Sequence, residues 1–160
     1  PVYNKIGETV TSSVTTLDVH DISRVARTFA LNSFYVVTPL KTQRQLVERL
    51  IEHWMTGYGA EYNPTRKEAL LSTQVANNLK EVLRDLKDRC GQQPFTVATG
   101  ANRFPKSIGF YGLREQIRRG KPTLLLFGTG WGLEKSVLEE ADSVLEPPEC
   151  PDHHPKEVLQ

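Results

Sequence analysis

Residues 123–127, Thr123-Leu124-Leu125-Leu126-Phe127, read as a buried strand, and three glycines in five positions follow at once: Gly128, Thr129, Gly130, Trp131, Gly132, then Leu133. Residues 134–141 resume with the apolar spacing of a helix. A strand that ends in glycines lets main chain come close to a flat or charged group, because no side chain stands in the way. In open α/β sheets ligands bind outside the carboxyl ends of strands, where this loop falls. Trp131, a large aromatic between two glycines, is costly to expose and suits packing against a pocket wall. The loop therefore reads as a contact for a nucleotide-like cofactor.

The rest of the chain alternates strand and helix. Residues 1–14 are turn-prone, most clearly at Asn4-Lys5-Ile6-Gly7. A helix begins after Thr16 or Asp18, with Ile22, Val25, Ala26 and Phe29 on its inner face and His20, Arg24 and Arg27 on the other. Residues 33–38 form a strand, and Leu46, Val47, Leu50, Ile51 and Trp54 stripe the next helix. Residues 57–62 read as a glycine-aromatic loop, after which Asn63 and Pro64 start a short helix near Thr65. A longer helix turns Val75, Leu79, Val82, Leu83 and Leu86 inward and stops at Gly91. Then come a strand at 95–99, a loop at 100–105 and a helix near 109–119 with Tyr111 or Leu113 and Ile117 inward. A short strand at 143–145 follows the glycine loop and its helix. This order predicts an α/β protein with a mostly parallel sheet flanked by helices.

At 160 residues the chain is long enough for one core, and 38% hydrophobic with 24% charged residues is an ordinary globular composition. No stretch has transmembrane length and no signal peptide is visible, so a cytoplasmic setting is expected. Cys90 and Cys150, the two cysteines, lie sixty residues apart and suggest neither a disulfide framework nor a zinc site. A net charge of +1 confines any nucleic-acid footprint to a local patch. The chain opens on Pro1 and ends on a polar tail, which suggests processing or an incomplete sequence.

The glycine loop lacks the lysine of a phosphate-binding P-loop, and its G-x-G-x-G spacing is not the dinucleotide fingerprint. A tight turn with no ligand is the plainer alternative. Asp21, His20, Arg24 and Arg27 gather at a helix start and suit proton transfer and phosphate binding, though such residues also make an ordinary solvated face. Tyr58 and Tyr62 beside Arg66 and Lys67 suit base stacking and phosphate contact, or an anchored loop. Cys150, His153 and His154 are poorly spaced for one ion, so no metal is expected. There is no G-x-S-x-G elbow.

Taken in order, residues 17–28, 57–64 and 125–133 resemble the SPOUT superfamily of S-adenosylmethionine-dependent RNA methyltransferases. The likeness is nearest to the small bacterial branch sometimes joined to tRNA guanine-N1 methyltransferase, and it runs over residues 1–147, leaving 148–160 as an atypical tail. It implies an α/β fold with a trefoil knot, incomplete at both ends here. A first strand would precede Pro1, and an Asn-rich loop and knot helix would follow Pro147. By this resemblance Thr99, Gly100 and Ala101 form the first cofactor loop, and Gly128, Thr129, Gly130, Trp131, Gly132 and Leu133 the second. Leu145, Glu146 and Pro147 begin the third. Arg27 is the expected catalytic arginine at the RNA phosphate or ribose. Asp21 is the candidate base, where many relatives have asparagine, with His20 next in line. Arg24, Arg66, Lys67 and Arg103 are the expected RNA contacts. The implied cofactor is S-adenosyl-L-methionine, the substrate tRNA or rRNA, and the assembly a homodimer if the knot is complete. A knotted RNA-binding module without cofactor is the competing expectation. A dinucleotide oxidoreductase ranks last, since it needs an early strand, a G-x-G-x-x-G turn and a following acidic residue.

Overall fold

The computed structural model describes residues 1–56 and 58–148. Its elements in chain order begin with β1 (Val2–Tyr3), β2 (Thr9–Val10), α1 (Thr16–Thr28), β3 (Phe34–Val37) and α2 (Lys41–Thr56). Next come α3 (Tyr58–Tyr62), α4 (Pro64–Leu70), β4 (Thr73–Ala76), α5 (Leu79–Cys90) and β5 (Phe95–Thr99). Then follow β6 (Ser107–Ile108), α6 (Phe110–Arg118), β7 (Thr123–Leu126), α7 (Lys135–Glu140) and β8 (Ser143–Leu145). They divide into two compact units: Ser13–Asp85, and Pro1–Ser12 together with the chain from Leu86 onward. The class is α/β, as expected. Most of the expected tail, with Cys150, His153 and His154, lies outside the described residues.

In the unit spanning Ser13–Asp85, Thr15 caps α1, its hydroxyl oxygen accepting from the Asp18 amide at 3.2 Å. The buried face of α1 is Val19, Ser23 and Ala26. This corrects the expected stripe, because Ile22, Val25 and Phe29 are 46%, 54% and 73% exposed. The serine enters the core without penalty because its hydroxyl donates to the Val19 carbonyl at 2.5 Å and bonds the Thr73 hydroxyl at 2.8 Å. β4 is a second correction. Val75 was expected on a helix, but residues 73–76 pair parallel with β3, Val36 opposite Val75. The helix starts later, where Asn78 Oδ1 accepts from the Glu81 amide at 3.0 Å while the Glu81 carboxylate accepts from the Asn77 amide at 2.8 Å. A third correction concerns residues 58–62, which are helical rather than a loop. Gly59 is there for contact: a Cβ would lie 2.7 Å from Cε3 of Trp54. The core gathers Val19, Val36, Val47 and Leu70, with Phe34, Leu50, Ile51, Trp54 and Val75 against it.

The other unit contains a β1–β2 hairpin and a four-stranded sheet in the order β6-β8-β5-β7. All three pairings in that sheet are parallel. Val97, Ala98 and Val144 are fully buried, and Phe104, Leu126, Leu133 and Leu138 pack on the Ala98–Val144 cluster. β6 falls just after the expected loop, joining the edge through β8. On α6 only Leu113 is buried; Tyr111 and Ile117, also considered for the inner face, are 84% and 52% exposed.

Asp142 ties β8 to β5. Its Oδ2 accepts from the Thr96 amide and hydroxyl, both at 2.7 Å, and its own amide donates to the Thr96 hydroxyl at 2.9 Å. Burial pushes the Asp142 carboxyl up, but the Thr96 hydrogen bonds, helped by Lys121 and Lys106, outweigh it and the net direction is down. The unfolded chain then binds more protons in acid, so stability falls as pH drops through the ordinary carboxylate range toward the folded-state value. Asp142→Asn is expected to lower stability at pH 7 by about 1–2 kcal/mol and to flatten that acid limb, as read by urea unfolding between pH 3 and 7.

Candidate functional site

Parallel strands put their carboxyl ends on one edge, and three of the expected segments meet there. Thr99 ends β5 opposite Leu145 of β8, and its hydroxyl donates to the Leu126 carbonyl at the end of β7 at 3.0 Å. The loops starting at Gly100, Phe127 and Glu146 therefore leave three adjacent strands, spaced by about 4.8 Å each.

Within the central loop Gly130 and Gly132 have φ of +59° and +100°, a region that side chains rarely tolerate. Gly128 is required for another reason: a Cβ there would lie 2.7 Å from the Leu133 amide nitrogen. Leu133 turns its side chain into the core and so anchors the loop. The Gly132 amide donates to the Thr129 carbonyl at 3.2 Å, closing the turn. Among the described residues, the amides of Thr129 and Gly130 make no hydrogen bond, and both residues are exposed. Trp131 corrects one expectation. The residue is 55% exposed rather than packed against a pocket wall; with Phe127 at 73% it is open aromatic surface beside the glycines. The third segment offers acceptors only, since the Glu146 amide is taken by the Ile108 carbonyl at 3.0 Å and Pro147 has no N–H.

Three of the four arginines expected at RNA converge in the unit spanning Ser13–Asp85. Arg24, Arg27 and Arg66 line a cleft of about 360 Å³ with Thr28, Asn63, Thr65, Glu68 and Ala69. α1 supplies the first two, and α4 supplies Arg66 because Asn63 caps it, Oδ1 accepting from the Arg66 amide at 3.0 Å. Arg27 pairs with Glu68 at 3.3 Å and Arg24 with Asp21 at 3.7 Å, all well exposed. The Arg66 guanidinium lies 4.5 Å from the centre of the Trp54 ring. Three guanidinium groups against two carboxylates, Glu68 in the cleft and Asp21 beside Arg24, leave one positive charge in excess. Lys67 neighbours Arg66 on α4 but does not line the cleft, and Arg103 belongs to the other unit, on the loop after β5. Glu68 escaped the sequence reading, since 41 residues separate it from Arg27 and no local spacing joins them.

His20 is placed differently from Asp21. Its ring meets Trp54 edge-on at 5.7 Å, and Nδ1 is buried without a hydrogen-bond partner among the described residues. Burial first, then the Arg66 charge, hold it below the ordinary imidazole value, with Asp21 pulling the other way. Asp21 stays at the surface, its side chain 71% exposed.

A family profile described as SAM-dependent RNA methyltransferase matches residues 1–155. The chain belongs to this family. A tRNA (guanine-N(1)-)-methyltransferase of Oleidesulfovibrio alaskensis is 42% identical over 147 residues, 92% of this chain and 34% of the relative. Another of that name, from Nitratidesulfovibrio vulgaris, is 39% identical over 151 residues, again 92% of this chain and 34% of its own length. An uncharacterized protein of Aquifex aeolicus is 36% identical over 148 residues, 92% of this chain and 72% of its length. The chain thus spans about a third of the two relatives named as tRNA methyltransferases.

The cofactor of this methyltransferase family is S-adenosylmethionine, and the glycine-rich edge fits it chemically. Two exposed amides without partners, a neighbouring loop at Gly100 and open aromatic surface suit the polar rim and flat face of an adenine. If Gly128 is there to let the loop fold on itself, Gly128→Ala must displace main chain. It is expected to cost about 1–3 kcal/mol in thermal or urea unfolding. Gly100→Ala, whose Cβ would meet only the Phe104 ring at 3.7 Å, is expected to stay within about 0.5 kcal/mol of the parent.

Proposed function

We propose that this chain is a methyltransferase acting on tRNA or rRNA, with S-adenosyl-L-methionine held at the carboxyl edge of the parallel sheet and RNA phosphate held in the arginine cleft. Support comes first from the convergence of Thr99, Gly100 and Ala101, of 128–133, and of 145–147 on one edge of adjacent parallel strands. In this reading Thr129 and Gly130 donate main-chain hydrogen bonds to the adenosine, Gly100 and Ala101 line its other side, and Leu145, Glu146 and Pro147 contribute carbonyl acceptors. Gly128, Gly132 and Leu133 shape the loop, and Trp131 supplies apolar surface. When bound, the cofactor supplies an electrophilic methyl group on a sulfonium. What remains for the protein is to orient the acceptor and to take up a proton.

Arg27 holds a phosphate oxygen in a charge-assisted contact, exchanging Glu68 for the ligand, with Arg24 and Arg66 beside it. Lys67 and Arg103 are outlying RNA contacts. Asp21 is the proton acceptor of this reading because its carboxylate faces solvent. His20, with Nδ1 sealed against the core, serves packing. The names of the two tRNA methyltransferase relatives favour tRNA as substrate.

The knot and the homodimer belong to the same proposal, as does one domain over 1–147 with an atypical tail. β8 already lies between β5 and β6, two strands made before it, as a chain doubling back through its own fold requires. No helix among the described residues is long and apolar enough to cross a membrane, which accords with a cytoplasmic place beside tRNA. Incubating the chain with methyl-labelled S-adenosylmethionine and bulk unmodified tRNA and rRNA tests the function. RNA is expected to become labelled, and Arg27→Ala to reduce the rate by about tenfold or more. RNA retention with neither labelling nor heat of cofactor binding would instead support the non-catalytic module.

A further inference from the structure

We infer that Tyr3 is a positioning residue for the cofactor loop, holding 128–133 in its ligand-ready conformation before any ligand arrives. The inference rests on the cofactor reading above and adds a residue that the glycine motifs do not contain.

β1 runs antiparallel to the end of the loop, with Val2 bridging Leu133. The Tyr3 amide donates to the Gly132 carbonyl at 3.1 Å, and the Trp131 amide donates to the Tyr3 carbonyl at 3.2 Å. The Tyr3 side chain reaches further, its hydroxyl accepting from the Lys135 amide at 3.2 Å at the start of α7. Pro1 adds a fourth bond, its carbonyl accepting from the Glu134 amide at 3.1 Å. From the second strand of the hairpin the chain continues to Ser12, whose hydroxyl bonds that of Thr129. One short segment thus holds both sides of Gly132 and the first turn of α7.

The contacts are selective. They occupy the amides of Trp131, Glu134 and Lys135 and leave those of Thr129 and Gly130. Gly130 sits so close that a Cβ would lie 3.2 Å from the Tyr3 carbonyl oxygen. A loop with three glycines has more conformational freedom to lose than one of its length without glycine. If that freedom is lost on folding, through β1, it is not lost again on binding, and the ligand binds more tightly for it.

Calorimetry with S-adenosylhomocysteine, the demethylated product, compares the parent with Tyr3→Phe and Tyr3→Pro. Tyr3→Phe removes only the hydroxyl that accepts from Lys135 and is expected to raise Kd about 3- to 10-fold. Tyr3→Pro also removes the N–H that reaches Gly132 and is expected to raise Kd more than about 10-fold. In both the binding entropy becomes more unfavourable, since the loop then orders on binding, and hydrogen exchange at the Trp131 amide speeds up. Retention of bulk tRNA by the arginine cleft is expected to be unchanged. If Tyr3→Pro fails to fold, as circular dichroism would show, Tyr3→Phe decides alone. Equal Kd and equal binding entropy in parent and folded variants would overturn the role of Tyr3 while leaving the cofactor reading standing. No binding by the parent would overturn both.

Discussion

Parallel pairing of β5 with β7 on one side and β8 on the other is the constraint on which the proposed chemistry depends. Parallel strands deliver their carboxyl ends to the same edge, so three loops far apart in sequence become neighbours through strand pairing. The pairing is held by apolar burial at Val97, Ala98 and Val144 and by the Asp142–Thr96 bonds, which fix β8 in register. The glycines then have a defined task at that edge. Gly128 lets the loop pack on Leu133, and Gly130 and Gly132 take backbone angles that other residues avoid.

Local signals in the sequence were legible where they had a local cause. The strand at 95–99, the helix end at Gly91, the Asn63–Pro64 start of α4 and the glycine loop are all visible in the residues themselves. Features decided by distant partners were not. Ser23 is buried because Thr73, fifty residues on, completes its hydrogen bonding, and no periodicity announces that. Val75 has helical spacing from Leu79, yet its strand is fixed by pairing with Val36. Gly59 looks like a loop residue until the Trp54 ring is found against it. The site was legible to the same extent. The glycine loop at 128–133 had its own sequence signature, the proposed loops at 99–101 and 145–147 came only from the family resemblance, and the Glu68 partner of Arg27 and the hold of Tyr3 on Gly132 needed the fold.

A net charge of +1 is compatible with RNA recognition because the positive charge is local. Arg24, Arg27 and Arg66 come from two helices capped by Thr15 and Asn63, and Trp54 carries the Arg66 guanidinium on its face. Such a cleft suits a phosphate oxygen better than a base edge, since its forked cationic donors outnumber the two carboxylates, Asp21 and Glu68, that pair with them. The proposed division, phosphate positioning by the arginines and cofactor binding by main chain, is one that methyl transfer permits, because alignment of donor and acceptor does most of the work.

The carboxyl edge of the parallel sheet is the proposed cofactor site. Titrating the ¹⁵N-labelled chain with S-adenosylhomocysteine and following backbone amide resonances tests it most directly. The largest saturable shifts are expected at Gly100, Thr129 and Gly130, with little change at Arg24, Arg27 and Arg66. Saturable shifts confined to the arginine cleft, or none at the glycine loop at millimolar ligand, would contradict it.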